Sequence, residues 1–324
     1  MAPFFVHSKL CPRDLLCDVP GGLSSQGFVL FAAHHQCFGL DPGQQTKGIV
    51  GQAGVCLHKK PIIGFWLCQQ PHQRNRPLVF PVIGIGINPP QIAVHQRGVV
   101  TGLRLAVRAL TNPGDGVLIT TPVYGPFFAA VKGNEHPLVE SPMIMDENNR
   151  FTLNLADIEE KLATGAAKLV LFCSPHNPCG RAWSAEELKA VLDLCAKYGV
   201  PMVCDEIHAD FVYAPGEFVP VLSIARENVM SFCAASKTFN LAGCQNSFVV
   251  IPDADLRERY DRFTTCIRIQ GGNPFGYIAA ESAYRGGEPW LREVRGIILE
   301  NYHYACESLL QQLPLLRISP LEGT

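Results

Sequence analysis

From Gly98 onward, apolar residues fall in blocks whose period switches between that of a helix and that of a buried strand. Val99–Leu110 carries the pattern of a buried helix, and the turn Asn112-Pro113-Gly114-Asp115 ends it. Gly116–Thr121 and Lys168–Cys173 read as buried strands. Ser184-Ala185-Glu186-Glu187 is a capping box, which predicts a helix running to about Lys197. Pro201–Asp205, Val229–Ala234 and Ser247–Ile251 read as further strands. Strands alternating with helices imply right-handed βαβ units. The expected fold is α/β, a largely parallel sheet with helices on both faces.

The first 96 residues do not share this pattern. Their apolar runs (Gly27–Ala33, Pro61–Leu67, Leu78–Ile87) are short and broken by Gly, Pro and Gln, and none keeps a helical period over three turns. Gly84-Ile85-Gly86-Ile87-Asn88-Pro89 has half of a glycine-rich phosphate loop. It lacks the third Gly, and Pro89-Pro90 stands where a helix would start.

Composition sharpens that break. Residues 1–96 hold three acidic side chains (Asp14, Asp18, Asp41) and no Glu, against 26 acids in the rest; they also hold six of the ten His and ten Gln. Residues 1–97 are therefore expected to be an atypical segment, an aberrant or misassembled amino terminus. Over the whole chain, 27 basic and 29 acidic residues leave a net charge of -2, which argues against a nucleic-acid binder or a polybasic membrane-surface protein. The thirteen Cys include no Cys-x-x-Cys pair, so no zinc site is expected and free thiols in a reducing compartment fit. There is no uninterrupted apolar stretch of membrane-spanning length and no secretory signal pattern at the start, so a cytoplasmic protein is expected.

In open parallel sheets, ligands sit outside the carboxyl ends of the strands, and the polar residues of this chain cluster there. Tyr124 follows the 116–121 strand, Asn177 follows 168–173, Asp205 ends its own strand, and Ser236-Lys237 follows 229–234. Taken singly, each has a plainer reading: a solvated lysine, a turn acid, a turn amide, a half-buried aromatic. Together they offer an amine, a carboxylate, an amide and a ring. The apolar run after Lys237 predicts a covered lysine whose amine is made nucleophilic by desolvation. Such an amine suits a Schiff base with pyridoxal phosphate, with Asp205 keeping the pyridine nitrogen protonated. Backbone N–H groups at the start of the Val99 helix suit the phosphate.

Four segments carry a family resemblance. They are Pro122-Val123-Tyr124-Gly125-Pro126-Phe127, Ser174-Pro175-His176-Asn177-Pro178-Cys179-Gly180-Arg181-Ala182-Trp183, Asp205-Glu206-Ile207-His208-Ala209-Asp210-Phe211-Val212-Tyr213 and Ser236-Lys237-Thr238-Phe239-Asn240-Leu241-Ala242-Gly243. With spacings of 53, 28 and 32 between Tyr124, Asn177, Asp205 and Lys237, residues 98–324 resemble the class I/II aminotransferase superfamily of fold type I pyridoxal-phosphate enzymes. Within it they look most like the cystathionine β-lyase-like C–S lyases.

The resemblance implies roles residue by residue. Lys237 would hold the cofactor and later take the Cα proton, and Asp205 would pair with the pyridine nitrogen. Asn177, with His208 second to it, would lie near the phenolic oxygen, and Tyr124 would stack on the ring. The Val99 and Val100 amides and the Ser236 hydroxyl would hold the phosphate. Tyr213 stays a core residue. The implied activity is β-elimination from cystathionine or a cysteine conjugate to pyruvate, ammonia and a thiol; an aminotransferase, or an inactive remnant of either, is the alternative. It further implies a homodimer acting on a small amino-acid substrate. The implied layout is a cofactor-binding large domain at 98–288 and the start of a truncated small domain at 289–324. Two departures accompany it. Gln245 stands where other aminotransferases often have Arg, and residues 1–96 lack the family's amino-terminal motifs. The end, Pro320-Leu321-Glu322-Gly323-Thr324, looks like a family strand after which a substrate-binding Arg would follow.

Overall fold

The computed structural model describes residues 78–79, 86–87, 92–269, 271 and 273–324, all of them within one compact unit, Asn75–Thr324. The readings made on residues 1–77, and most of the Gly84–Pro89 loop, lie outside the described residues.

Two strand pairs stand apart from the main sheet: β1 (Leu78–Val79) with β2 (Gly86–Ile87), and β6 (Ile144–Met145) with β7 (Phe151–Thr152). The main sheet has seven strands. In chain order they are β3 (Ile92–Gln96), β4 (Val117–Thr121), β5 (Leu138–Pro142), β8 (Leu169–Cys173), β9 (Met202–Asp205), β10 (Val229–Cys233) and β11 (Ser247–Val250). Across the sheet the order is β3-β11-β10-β9-β8-β4-β5. The five strands from β10 to β5 are mutually parallel, while β11 runs antiparallel to both its neighbours.

The central strands are apolar throughout because both faces are covered. Successive side chains point to opposite faces, and the two cores divide the strands accordingly. Val117, Ile119, Leu169, Leu171, Val203, Met230 and Phe232 join one core. Helices α1 (Val99–Leu110), α2 (Gly125–Lys132) and α7 (Ala254–Cys266) contribute to it. Leu118, Val170, Phe172, Met202, Cys204 and Val229 join the other, packed by α3 (Leu155–Ala163), α4 (Ala185–Tyr198) and the short α5 (Val221–Ile224). The expected largely parallel sheet with helices on both faces is what forms.

Local signals set the helix ends that matter here. The Ser184 capping box closes from both sides: Glu187 N–H donates to Ser184 Oγ at 3.2 Å, and Ser184 N–H donates to Glu187 Oε2 at 2.9 Å. The helix then runs one residue past the expected Lys197 and stops at Gly199, whose φ of 63° suits glycine. At α1, Gly98 makes the strand-to-helix turn with φ 103°. One turn on, Gly102 lies against the sheet: a β-carbon there would sit 2.3 Å from Phe232 Cε1. That close approach seats the start of α1 over the end of β10.

After β10 come α6 (Ala235–Thr238) and a single 3₁₀ turn, Ala242–Cys244. The polypeptide ends in α8 (Pro274–Gly286), the 25-residue α9 (Glu288–Gln312) and an extended tail. No residue of α9 is fully buried. The tail returns to the sheet's edge of loops: Glu322 and Gly323 N–H both donate to Gly180 O, and Thr324 N–H donates to Phe211 O. Glu322 meets the fully buried Arg181 at 2.8 Å and Arg150 at 2.5 Å, and Glu187 takes the other side of the Arg181 guanidinium at 2.8 Å. A buried guanidinium must be paired, so the tail supplies half of what Arg181 needs.

Candidate active site

Four parallel strands deliver the site at their carboxyl ends. Backbone bonds stitch the loops that leave them: Tyr124 N–H donates to Asn177 O at 3.0 Å, Ser174 N–H to Asp205 O at 2.9 Å, and Glu206 N–H to Phe232 O at 2.9 Å. The loop of Asn177 is pinned from beneath by His176, whose Nε2 lies 2.9 Å from Pro122 O. Burial pushes the His176 imidazole down to about 4. The ring is therefore neutral, and since a carbonyl only accepts, Nε2 carries its hydrogen.

Asp205 and Glu206 are adjacent buried acids with different tasks. Glu206 is consumed internally, accepting from Val221 N–H at 2.7 Å and from the Ser231 hydroxyl. Asp205 accepts from Ile207 N–H at 3.0 Å through Oδ1, and no donor among the described residues engages its other oxygen. Burial raises the Asp205 carboxyl to about 7, while the Ile207 N–H and the Lys237 charge pull it the other way. Such a group is poised to accept a cationic N–H from outside the chain.

Lys237 comes from α6, and its Nζ lies 5.8 Å from the centroid of the Tyr124 ring. The expectation of a covered lysine fails: Lys237 is exposed. The residues that follow it do not cover the amine. Thr238 is buried, and Phe239 packs at 5.5 Å against Tyr284 and at 6.0 Å against Trp290. Tyr124 is itself 38% exposed, so its ring has an open face. His208 reaches the same space. Burial, then the Lys237 charge, lowers its imidazole to about 4, and its buried Nδ1 has no partner among the described residues. The Asn177 side chain is half-buried and no described residue bonds its amide.

Val99 and Val100 open α1. That helix has no side-chain cap and no acid in its first turn, which leaves its leading N–H groups and the positive end of its dipole available. The half-buried Ser236 sits beside Lys237 in α6, and its hydroxyl has no bond among the described residues. An amine, a carboxyl able to hold a proton, an aromatic face and an anion-suited helix start thus share one end of the sheet. No cluster of three or more His, Cys, Asp or Glu suited to a metal occurs among the described residues. None of the described helices is long and apolar enough to cross a membrane.

Sequence reasoning missed two participants, the Glu206–Ser231 pair and the bond between Asp210 and Thr238. Both join residues more than twenty positions apart. Only the acid next to Asp205 and the hydroxyl next to Lys237 could have signalled them.

Known proteins fit this architecture. PatB, a cystathionine β-lyase of Bacillus subtilis, is 37% identical over 238 residues, covering 72% of this chain and 61% of its own length. Protein MalY of Escherichia coli is 28% identical, covering 70% and 58%. Among solved structures, cystalysin of Treponema denticola, which contains a pyridoxal 5′-phosphate cofactor, superposes with a TM-score of 0.70. It is 33% identical, over 74% of this chain and 61% of that one. The chain thus spans about three fifths of the length of these relatives. The profile of the family described as "Aminotransferase class I and II" matches residues 87–319, and with that match over most of its length the chain belongs to the class I and II aminotransferase family.

Proposed function

We propose that this chain is the cofactor-binding part of a pyridoxal-phosphate-dependent C–S β-lyase. The carrying observation is the convergence of Tyr124, Asn177, Asp205 and Lys237 at four neighbouring strand ends, with the Lys237 amine above the Tyr124 ring. The donor set fits the cofactor: an exposed amine for its aldehyde, a buried carboxyl with a free oxygen for its ring nitrogen, and an uncapped helix start for its phosphate. When bound, pyridoxal phosphate supplies an electron sink for the pair left behind by a departing Cα proton.

The chain's own residues do the rest. Lys237 would hold the cofactor through Nζ and, with an amino-acid substrate bound, would accept the Cα proton on that same nitrogen. Asp205 keeps a proton on the ring nitrogen by staying anionic beside it. Tyr124 gives the ring a flat support, and Asn177 donates its amide to the phenolic oxygen, with His208 at its edge. Val99 and Val100 N–H groups and the Ser236 hydroxyl hold the phosphate. With the Cα proton on Lys237, the pair left at Cα would form a Cα–Cβ double bond as the Cβ–S bond of cystathionine or a cysteine conjugate breaks and the sulfur leaves with the bonding pair as a thiolate.

The names of PatB and of a pyridoxal-phosphate-bound C–S lyase from Staphylococcus hominis support the lyase over an aminotransferase on the same residues. In the same reading, residues 98–288 form the large domain and 289–324 open a small one. The working form is a cytoplasmic homodimer acting on a small amino acid. The deciding experiment incubates the protein with pyridoxal phosphate and cystathionine and measures pyruvate without any keto-acid acceptor. Pyruvate should form, and Lys237→Ala should abolish it. Conversion of an added keto-acid acceptor to its amino acid with no pyruvate from cystathionine points to the aminotransferase, and no turnover in either case points to an inactive remnant.

A further inference from the structure

Thr238 follows Lys237 in α6 and is completely buried. A buried hydroxyl needs a partner, and Thr238 Oγ1 donates to Asp210 Oδ2 at 2.6 Å. The two residues are 28 apart in sequence and stand on the two arms of the site: Asp210 in the turn that begins at Asp205, Thr238 in the turn that carries Lys237. Among the described residues, no other hydrogen bond joins residues 205–213 to residues 235–241.

The surroundings make Asp210 a hub. Burial raises its carboxyl, while the Thr238 bond and the Arg295 charge favour its anion. Arg295, on α9, also donates to Val212 O and places its guanidinium 5.6 Å from the Tyr213 ring centroid. On the other side of Lys237, Phe239 is held between Tyr284 and Trp290. The lysine turn is therefore fixed by a polar contact at Thr238 and an aromatic one at Phe239. Lys237 itself is left without a hydrogen bond or ion pair among the described residues.

We infer that Asp210, acting through Thr238, is the positioning residue of Lys237, holding the lysine turn against the Asp205 turn so that amine and carboxyl reach one small cofactor together. The inference rests on Lys237 being the cofactor lysine. Two independent strands must present their groups to one molecule, and a misplacement of about 1 Å is enough to lose much of the benefit.

The test compares Thr238→Val, which keeps the shape and loses the hydroxyl, with Thr238→Ser, which keeps the hydroxyl. Each is incubated with graded pyridoxal phosphate and fixed with borohydride, and the fraction of Lys237 peptide carrying a pyridoxyl group is read by mass spectrometry. Half-labelling should need on the order of tenfold more cofactor in Thr238→Val and stay within about twofold of the parent in Thr238→Ser. Asp210→Ala should shift labelling likewise, and adding Thr238→Val to it should change little more. Equal labelling of Thr238→Val and the parent overturns the inference. The second measurement needs no cofactor: hydrogen exchange at Phe239 and Leu241, whose N–H groups donate to Ala235 O and Ser236 O. Exchange should quicken in Thr238→Val and in Asp210→Ala but not in Thr238→Ser, and unchanged protection in the first two overturns the inference. A parent protein never labelled at Lys237 contradicts the cofactor reading instead, and hydrogen exchange then decides the role of Asp210 separately.

Discussion

At the scale of single residues, the site keeps a carboxyl where water cannot reach it. Asp205 is 4% exposed and its carboxyl titrates near 7, so folding at neutral pH carries a cost that an uncharged side chain would avoid. The sign follows from proton counting. The folded chain keeps the Asp205 proton up to about pH 7, whereas an unfolded chain releases it near pH 4. Between those values the folded state binds more protons, so this group's contribution to stability falls as pH rises and levels off above about 7. Asp205→Asn should therefore stabilise the cofactor-free protein, by on the order of 2–4 kcal/mol at about pH 8 and by less at about pH 5. Thermal unfolding at the two pH values checks this; a variant that is less stable at the higher pH would contradict it. The same variant should bind pyridoxal phosphate more weakly.

Elements carry those residues to one place, and here the sequence was most and least informative. Strands β4, β8, β9 and β10 are apolar runs bounded by polar or turn residues, so their carboxyl ends, and with them Tyr124, Asn177, Asp205 and Lys237, are readable from order alone. The Ser184 capping box is equally local and forms as expected. The exposure of Lys237 was not readable, because it depends on where Phe239 finds Tyr284 and Trp290, forty-five and fifty-one positions away. The Asp210–Thr238 bond and the Glu322–Arg181 pair are non-local for the same reason. Nor did apolar content mark α9 as a helix without a fully buried residue. Gly102 offers a test at this scale. Its replacement by Ala puts a methyl into the Phe232 ring and must lift the start of α1. The expected result is a loss of about 1–3 kcal/mol in stability, together with weaker binding of inorganic phosphate and pyridoxal phosphate, measured by calorimetry. Unaltered affinity for both would show that the seating of α1 does not matter to the anion.

For the whole molecule, the seven-stranded main sheet of the described residues separates two cores, and the polar chemistry lies outside the ends of its parallel strands. The segment at Glu322 returns to those same loops and pairs with Arg181, four residues beyond Asn177, so it braces the loop that carries the Asn177 amide. Everything proposed for the function depends on Lys237 holding pyridoxal phosphate. The absorbance spectrum of the protein reconstituted with pyridoxal phosphate and freed of excess cofactor tests that most directly. The account predicts a band characteristic of the lysine-bound cofactor in the parent protein and its loss in Lys237→Ala. A parent protein without that band, or a band that survives in Lys237→Ala, would contradict it.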